Sequence, residues 1–189
     1  MTAPDSRPLR ADARRNRDRL VEVAVQAFSH DGPDVSLDAI AKRAGVGIGT
    51  LYRHFATREE LVDAAYRSEL AKLCASTGEL LATRKPDEAL RAWMNGFVDY
   101  MTTKRGMADA LRALVASGGD PFSQSRAMLT AALAELLEAG AAAGLLAPGI
   151  DPEDVLFSLS GLSMATAAPG QQARVGRLLD LLMKGLRYR

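Results

Sequence analysis

The sequence predicts an all-α chain of about nine helices: an N-terminal three-helix module built as a helix-turn-helix, followed by a larger helical C-terminal domain. Three observations predict it. Apolar residues recur at spacings of three and four between breaks, and no stretch sustains the alternation of β-branched residues that a half-buried strand needs. The breaks carry helix start and stop chemistry, as at Gly32-Pro33, Gly45, Lys85-Pro86-Asp87, Gly106, Gly144 and Pro169-Gly170. At 189 residues and 48% hydrophobic composition, the chain can bury a real core.

Taken in order, residues 1–10 hold Pro4 and Pro8 among polar residues and are expected to form a flexible arm. A helix is expected from about Ala11, with Leu20, Val23, Ala24, Ala27 and Phe28 on one stripe. Ser36 is a suitable N-cap for a second helix from Leu37, and Leu37, Ile40, Ala41 and Ala44 form its apolar stripe. Gly45 ends that helix in the manner of a left-handed cap. A short third helix then runs from about Gly47 to His54, with Val46, Ile48, Leu51 and Phe55 available to pack it down. Thr57-Arg58-Glu59-Glu60 is a capping box that opens a long helix to about Thr83, with Gly78 as a possible interruption. Asp87 is a candidate cap for a helix over residues 87–103, and a shorter helix follows Gly106 from Met107 to Ala116. Phe122 to Ala143 reads as one helix, Asp151 caps another to about Ala167, and the last spans Gln171 to Leu186.

The third helix suggests a task. Once its packing positions are removed, Gly47, Thr50, Tyr52, Arg53 and His54 are left with Arg58 close by, a set of small, polar, aromatic and cationic groups. Phosphates and base edges are read by such groups. The formal net charge is only +1, so no global basic field advertises a nucleic acid partner. The charge is uneven, however: residues 1–19 hold six arginines (Arg7, Arg10, Arg14, Arg15, Arg17, Arg19) against Asp5, Asp12 and Asp18. This basic stretch either is solvated or reaches the groove beside the module.

Other function classes find little support. Cys74 is the only cysteine, and His30 and His54 lack partners at metal-ligand spacing, so neither a disulfide nor a metal site is expected. Gly45-Val-Gly47-Ile-Gly49 follows a helix rather than a strand, which argues against a dinucleotide loop, and no cofactor is expected. The core positions are mostly Ala, Leu, Met and Phe and offer no convergent acid, base or nucleophile, so an enzyme is not expected. No apolar run approaches a membrane span or a secretion signal, and a cytoplasmic location with no membrane partner is expected.

The stretch Ser36 to Leu61, with AKRAGVGIGTLYRHFATREEL inside it, resembles the N-terminal module of the TetR family of bacterial transcriptional regulators. The resemblance implies a DNA-binding domain over residues 11–58 and a ligand-binding and dimerisation domain over 59–189. Tyr52 and His54 match positions that touch phosphates, Thr50 a phosphate or base contact, and Arg58 a basic clamp at the start of the fourth helix. Gly47 and Ile48 fall where base edges are met. Gly47 departs from the serine of many members, which shifts direct readout toward Arg53, Thr50 and an apolar contact from Ile48 to a thymine methyl. The expected DNA-facing set is therefore Arg14, Ser36, Gly47, Ile48, Thr50, Tyr52, Arg53, His54 and Arg58.

The resemblance also implies a homodimer on a palindromic DNA operator, acting as a repressor released by a small, largely apolar effector. Trp93, Met94, Phe97 and Met101 either are ordinary core or wall an effector cavity, with Tyr66, Phe122, Met128, Phe157 and Met164 as further candidates. Gly161 and Ala165, four apart, together with Leu178, Leu179 and Leu182, suit a four-helix seam between two copies. The alternative is a DNA-binding regulator without a small-molecule effector, constitutive or controlled by a protein partner.

Overall fold

A computed structural model describes residues 7–32, 34–166 and 170–187, and within these the elements are all helical. They are α1 (Arg7–His30), α2 (Leu37–Arg43), α3 (Ile48–His54), α4 (Arg58–Thr83), α5 (Pro86–Gly106), α6 (Ala108–Ala116), α7 (Ser125–Ala142), α8 (Pro152–Ala165) and α9 (Gln172–Leu186). Helix α1 begins at Arg7, before the expected Ala11, and the expected arm otherwise lies outside the described residues. Gly78 leaves α4 unbroken. Asp87 is not a cap, because α5 starts at Pro86; its carboxylate instead accepts from Arg187 Nη2 at 3.1 Å.

The chain forms two compact units, one running to Ser68 and taking in Lys104–Pro121, the other comprising Glu69–Thr103 and the chain from Phe122 onward. The division does not fall at Arg58, where the expected domain boundary lay. The reason is local. The last turn of α5 sits so close to the end of α1 that a Cβ on Gly106 would lie 2.6 Å from the Ser29 carbonyl oxygen. In the same unit, Lys104 Nζ lies 5.7 Å from the Tyr66 ring centroid.

In the first unit, Leu20, Ala24, Ala27 and Phe28 of α1 are buried together with Ile40, Ala41, Leu51, Phe55 and Leu61. This core holds α2 and α3, seven residues each and too short to be helical by themselves, against the longer α1 and α4. The starts of α2 and α4 are capped by side chains: Ser36 Oγ accepts from Ala39 N at 3.1 Å, and Thr57 Oγ1 from Glu60 N at 3.2 Å. The Glu60 carboxylate reaches back to Ala56 N at 2.8 Å, one residue beyond the reciprocal bond of a standard capping box.

In the second unit, Trp93 is fully buried, and its indole donates to the Leu73 carbonyl at 3.2 Å. Its ring stacks on Phe97 at 5.9 Å between centroids. Arg91 ties α5 to α9 through Asp180 at 2.8 Å and the Gly176 carbonyl at 3.3 Å. Arg126 joins α7 to the start of α8 through Glu153 at 2.7 Å, and Asp151 caps α8 by accepting from Glu153 N at 2.8 Å. Among the described residues no helix is long and apolar enough to cross a membrane.

Candidate nucleic-acid interface

The interface is built around the turn between α2 and α3. Gly45 has φ +70°, the left-handed region that glycine occupies without penalty, and the chain closes there with Val46 N donating to Ala41 O at 3.0 Å and Gly45 N to Lys42 O at 3.1 Å. That closure ends α2 and lets α3 cross it. Leu51 and Phe55 anchor α3 in the core. Ile48, which the spacing also offered for packing, does not join them and is 36% exposed.

What α3 turns outward is Gly47, Ile48, Tyr52 and Arg53, with Tyr52 52% exposed, while Thr50 and His54 are half-buried beside them. The helix contains no acidic residue. Its open surface thus combines one aliphatic group, one phenol, one guanidinium, an imidazole and a hydroxyl, without a carboxylate to repel a phosphate. Such a set can hydrogen-bond phosphate oxygens and base edges and make apolar contact with a thymine methyl.

Two arginines of the basic stretch, Arg17 and Arg19, sit against this module. The Arg17 guanidinium lies 5.1 Å from the Phe55 ring centroid, and the Arg19 guanidinium lies at 3.6–3.7 Å from where a Cβ on Gly45 would stand. Both pairs join α1 to residues more than two dozen positions downstream, so no spacing rule exposes them. Arg14 is exposed and makes a 3.9 Å ion pair with Asp18, which is exposed too and is worth little in water. Ser36 is exposed, but its hydroxyl oxygen is committed to the α2 cap.

Arg58 has partners inside its own unit. The side chain expected to clamp a phosphate is turned into its own unit, where Nη1 donates to the Val35 carbonyl at 2.6 Å and the guanidinium lies 4.9 Å from the Phe28 ring centroid. It fastens the start of α4 to α1 and to the segment before α2. Arg43 is likewise paired within the unit, with Asp31.

The match to known proteins agrees with this geometry. Residues 20–65 match the family model for bacterial regulatory proteins of the tetR family, and residues 85–188 match the C-terminal domain of SbtR-like transcriptional regulators. A TetR transcriptional regulator of Streptomyces coelicolor is 52% identical over 90% of this chain and 98% of its own, with a TM-score of 0.86. The chain belongs to the TetR family. A TetR regulatory protein of Mycobacterium vanbaalenii is 35% identical over 96% of this chain and 100% of its own, with a TM-score of 0.79. HTH-type transcriptional regulators of Staphylococcus aureus are 44% identical over 54 residues, a match that spans 28% of this chain and 29% of their length.

For a TetR-family regulator, the remaining expected residues divide by burial. Trp93, Met94 and Phe97 are buried and Met101 half-buried in the second unit, whereas Tyr66 is buried in the first. Phe122 and Met128 lie at the surface. Phe157 and Met164, expected as cavity wall, are 82% and 72% exposed, so they wall nothing inside this chain. They share an outward face of α8 with Gly161 and Ala165, because positions 157, 161, 164 and 165 return to one side of a helix. On α9, Leu178 and Leu182 are half-buried, but Leu179 is fully buried with Met183 and Leu186 and cannot meet a partner. Leu181, 65% exposed, is the apolar residue that the sequence reading missed. The spacing 178, 181, 182 would have marked it as well as the stripe that included Leu179. Among the described residues no cluster of histidine, cysteine and carboxylates could hold a metal ion.

Proposed function

We propose that this TetR-family regulator is a homodimeric repressor that holds a pseudo-palindromic DNA operator and releases it when a small, largely apolar effector binds. Functionally, residues 11–58 serve DNA and residues 59–189 serve effector and partner. The observation that carries the DNA half is the outward face of α3: Tyr52 and Arg53 exposed, Thr50 and His54 beside them, no acid, and the helix pinned from behind by Leu51 and Phe55. Each copy places α3 in a major groove, with half-sites about one helical turn (~34 Å) apart.

The dimer reading rests on Phe157, Met164 and Leu181. Exposed apolar groups of this size, beside the small residues Gly161 and Ala165, support a partner surface on α8 and α9. The effector reading rests on the inward set Trp93, Met94 and Phe97, with Met101 at its edge. Helix α4 contributes to both units, so a shift of α4 on effector binding would change the spacing of the two α3 helices. The coupling needed is only about 1–3 kcal/mol.

A second reading has its own support. Trp93 is stacked on Phe97 and its N–H is satisfied by Leu73, the arrangement of a finished core, which favours a regulator with no small-molecule effector. A thermal-shift screen of apolar and aromatic metabolites, followed by DNA release measured by fluorescence anisotropy, separates the two. A compound that raises the melting temperature and releases DNA supports the repressor; a screen without either effect supports the second reading.

A further inference from the structure

We propose that the second unit carries a binding site for a small phosphomonoester bearing hydroxyl groups, with Arg84 and Lys184 holding the phosphate and Glu88 accepting from a ligand hydroxyl. The site is a solvent-open cavity of about 550 Å³ lined by the start of α5 and the end of α9. That volume falls within the ~300–1,000 Å³ of ordinary small-molecule sites. On α5 the lining residues Glu88, Arg91, Ala92 and Asn95 return to one side of the helix, opposite the buried stripe of Leu90, Trp93, Met94 and Phe97. The cavity is therefore separate from the inward set offered to an apolar effector, and it stands independently of DNA binding.

Four cations meet at this cavity, and two of them have lost their natural partners. Arg91 is fully used: Nε donates to Asp180 at 2.8 Å, Nη2 to the Gly176 carbonyl at 3.3 Å, and Nη1 to Asn95 Oδ1. Arg187 Nη2 donates to Asp87 at 3.1 Å. Asp180 is the acid that helical spacing offers to Lys184, four residues on, and Asp87 is the acid nearest to Arg84 along the chain. Each is held instead by an arginine from the other side of the cavity, 89 and 100 positions away. Among the described residues, Arg84 and Lys184 are left at the cavity without a carboxylate and Glu88 without a cation, all three exposed.

A guanidinium that forks two oxygens and an ammonium that acts as a point charge suit an anion with clustered oxygens and about two charges. A phosphomonoester carries about −1.5 to −2 near neutral pH. Glu88 narrows the class further. Its carboxylate repels a bare phosphate but accepts from a hydroxyl, so the ligand must bring a donor beside its phosphate. The Asn95 amide, whose oxygen already accepts from Arg91, has its N–H groups to offer to a second hydroxyl. Ala92 and the buried Met183 supply a small apolar floor for a carbon skeleton. Arg84 directly follows α4 and Lys184 stands on α9, so one ligand held by both would join the end of α4 to α9.

The test is isothermal titration calorimetry on the full chain with ribose 5-phosphate and glucose 6-phosphate, beside inorganic phosphate and glucose. At least one sugar phosphate is expected to saturate the chain at sub-millimolar concentration and to bind about tenfold more tightly than inorganic phosphate or glucose. The double variant Arg84→Gln, Lys184→Gln removes side chains that hold nothing else among the described residues, so its helical circular dichroism should be unchanged. It should bind the sugar phosphate at least about tenfold more weakly, through the loss of two charge-assisted bonds. The charge-matched variant Arg174→Gln, Arg177→Gln removes exposed cations of α9 that do not line the cavity, and it should bind as the wild type does. Glu88→Gln should tighten inorganic phosphate more than the sugar phosphate. The site is overturned if neither sugar phosphate saturates in the millimolar range, if the Arg84, Lys184 variant binds like the wild type, or if the charge-matched variant loses as much. Equal tightening of both ligands by Glu88→Gln would overturn the hydroxyl contact and with it the ligand class.

Discussion

Replacing Arg58 by alanine separates two roles that the same side chain was able to fill. The guanidinium donates to the Val35 carbonyl at 2.6 Å and lies 4.9 Å from the Phe28 ring centroid. A hydrogen bond from a charged donor contributes about 1.5–3 kcal/mol, and the lower end applies here because the side chain is only part-buried. The cation–π contact adds about 0.5–1 kcal/mol. Arg58→Ala should therefore destabilise the chain by about 2 kcal/mol, and for a chain of this length that is a fall in melting temperature of about 4–8 °C. The assay pairs thermal unfolding with DNA affinity measured across a range of salt concentrations. A phosphate contact would release counterions, and its loss would make the slope of log affinity against log salt shallower by about 0.9. The account predicts lower stability with an unchanged slope at temperatures where the variant is folded. An unchanged melting temperature with a shallower slope would refute the internal role and restore the clamp.

Other substitutions follow from the same structure. Gly106→Ala places a methyl 2.6 Å from the Ser29 oxygen and 2.8 Å from its Cα, backbone atoms that cannot yield, so an overpacking cost of about 1–3 kcal/mol should exceed the helix-propensity gain of up to about 1 kcal/mol; a urea midpoint at or above that of the wild type would contradict this contact. The double variant Phe157→Glu, Leu181→Glu should shift the chain to monomer in analytical ultracentrifugation and leave its helical circular dichroism intact, and a persistent dimer would move the partner surface elsewhere. Cys74 is half-buried, and burial pushes its thiol above the ordinary range, so less thiolate is present at neutral pH. Its alkylation should be slow in the folded chain and accelerate on denaturation; equal rates would contradict the burial.

What was legible in the sequence was local. Gly45, Ser36, Thr57 and Asp151 act within a few residues of themselves, and each turn or cap stands where its chemistry put it. The division of α3 into Leu51 and Phe55 inside and Tyr52 and Arg53 outside followed from the helical period, apart from Ile48, where a short helix leaves its first turn outside the core. What was not legible was partnership across the chain. Arg58 is expected as a clamp because a basic residue after a helix-turn-helix invites that role, and its contacts with Val35 and Phe28, 23 and 30 positions away, leave no local signal in the sequence. Phe157 and Met164 were assigned to a cavity by residue type, while the orientation of α8 puts them outside. On α9, Leu179 and Leu181 are both leucines two positions apart, and the packing of Leu179 with Met183 and Leu186 decides which faces inward.

The outward face of α3 is most directly tested by the double variant Tyr52→Phe, Arg53→Met, which removes the exposed hydroxyl and guanidinium and leaves Leu51 and Phe55 untouched. Its affinity for a duplex enriched by the wild-type chain is measured by fluorescence anisotropy beside its urea midpoint. Each lost bond to a charged partner contributes about 1.5–3 kcal/mol, so affinity should fall at least a hundredfold while the midpoint stays within about 0.5 kcal/mol of the wild type. Unchanged affinity in a folded double variant would contradict the assignment of α3 as the DNA-reading helix.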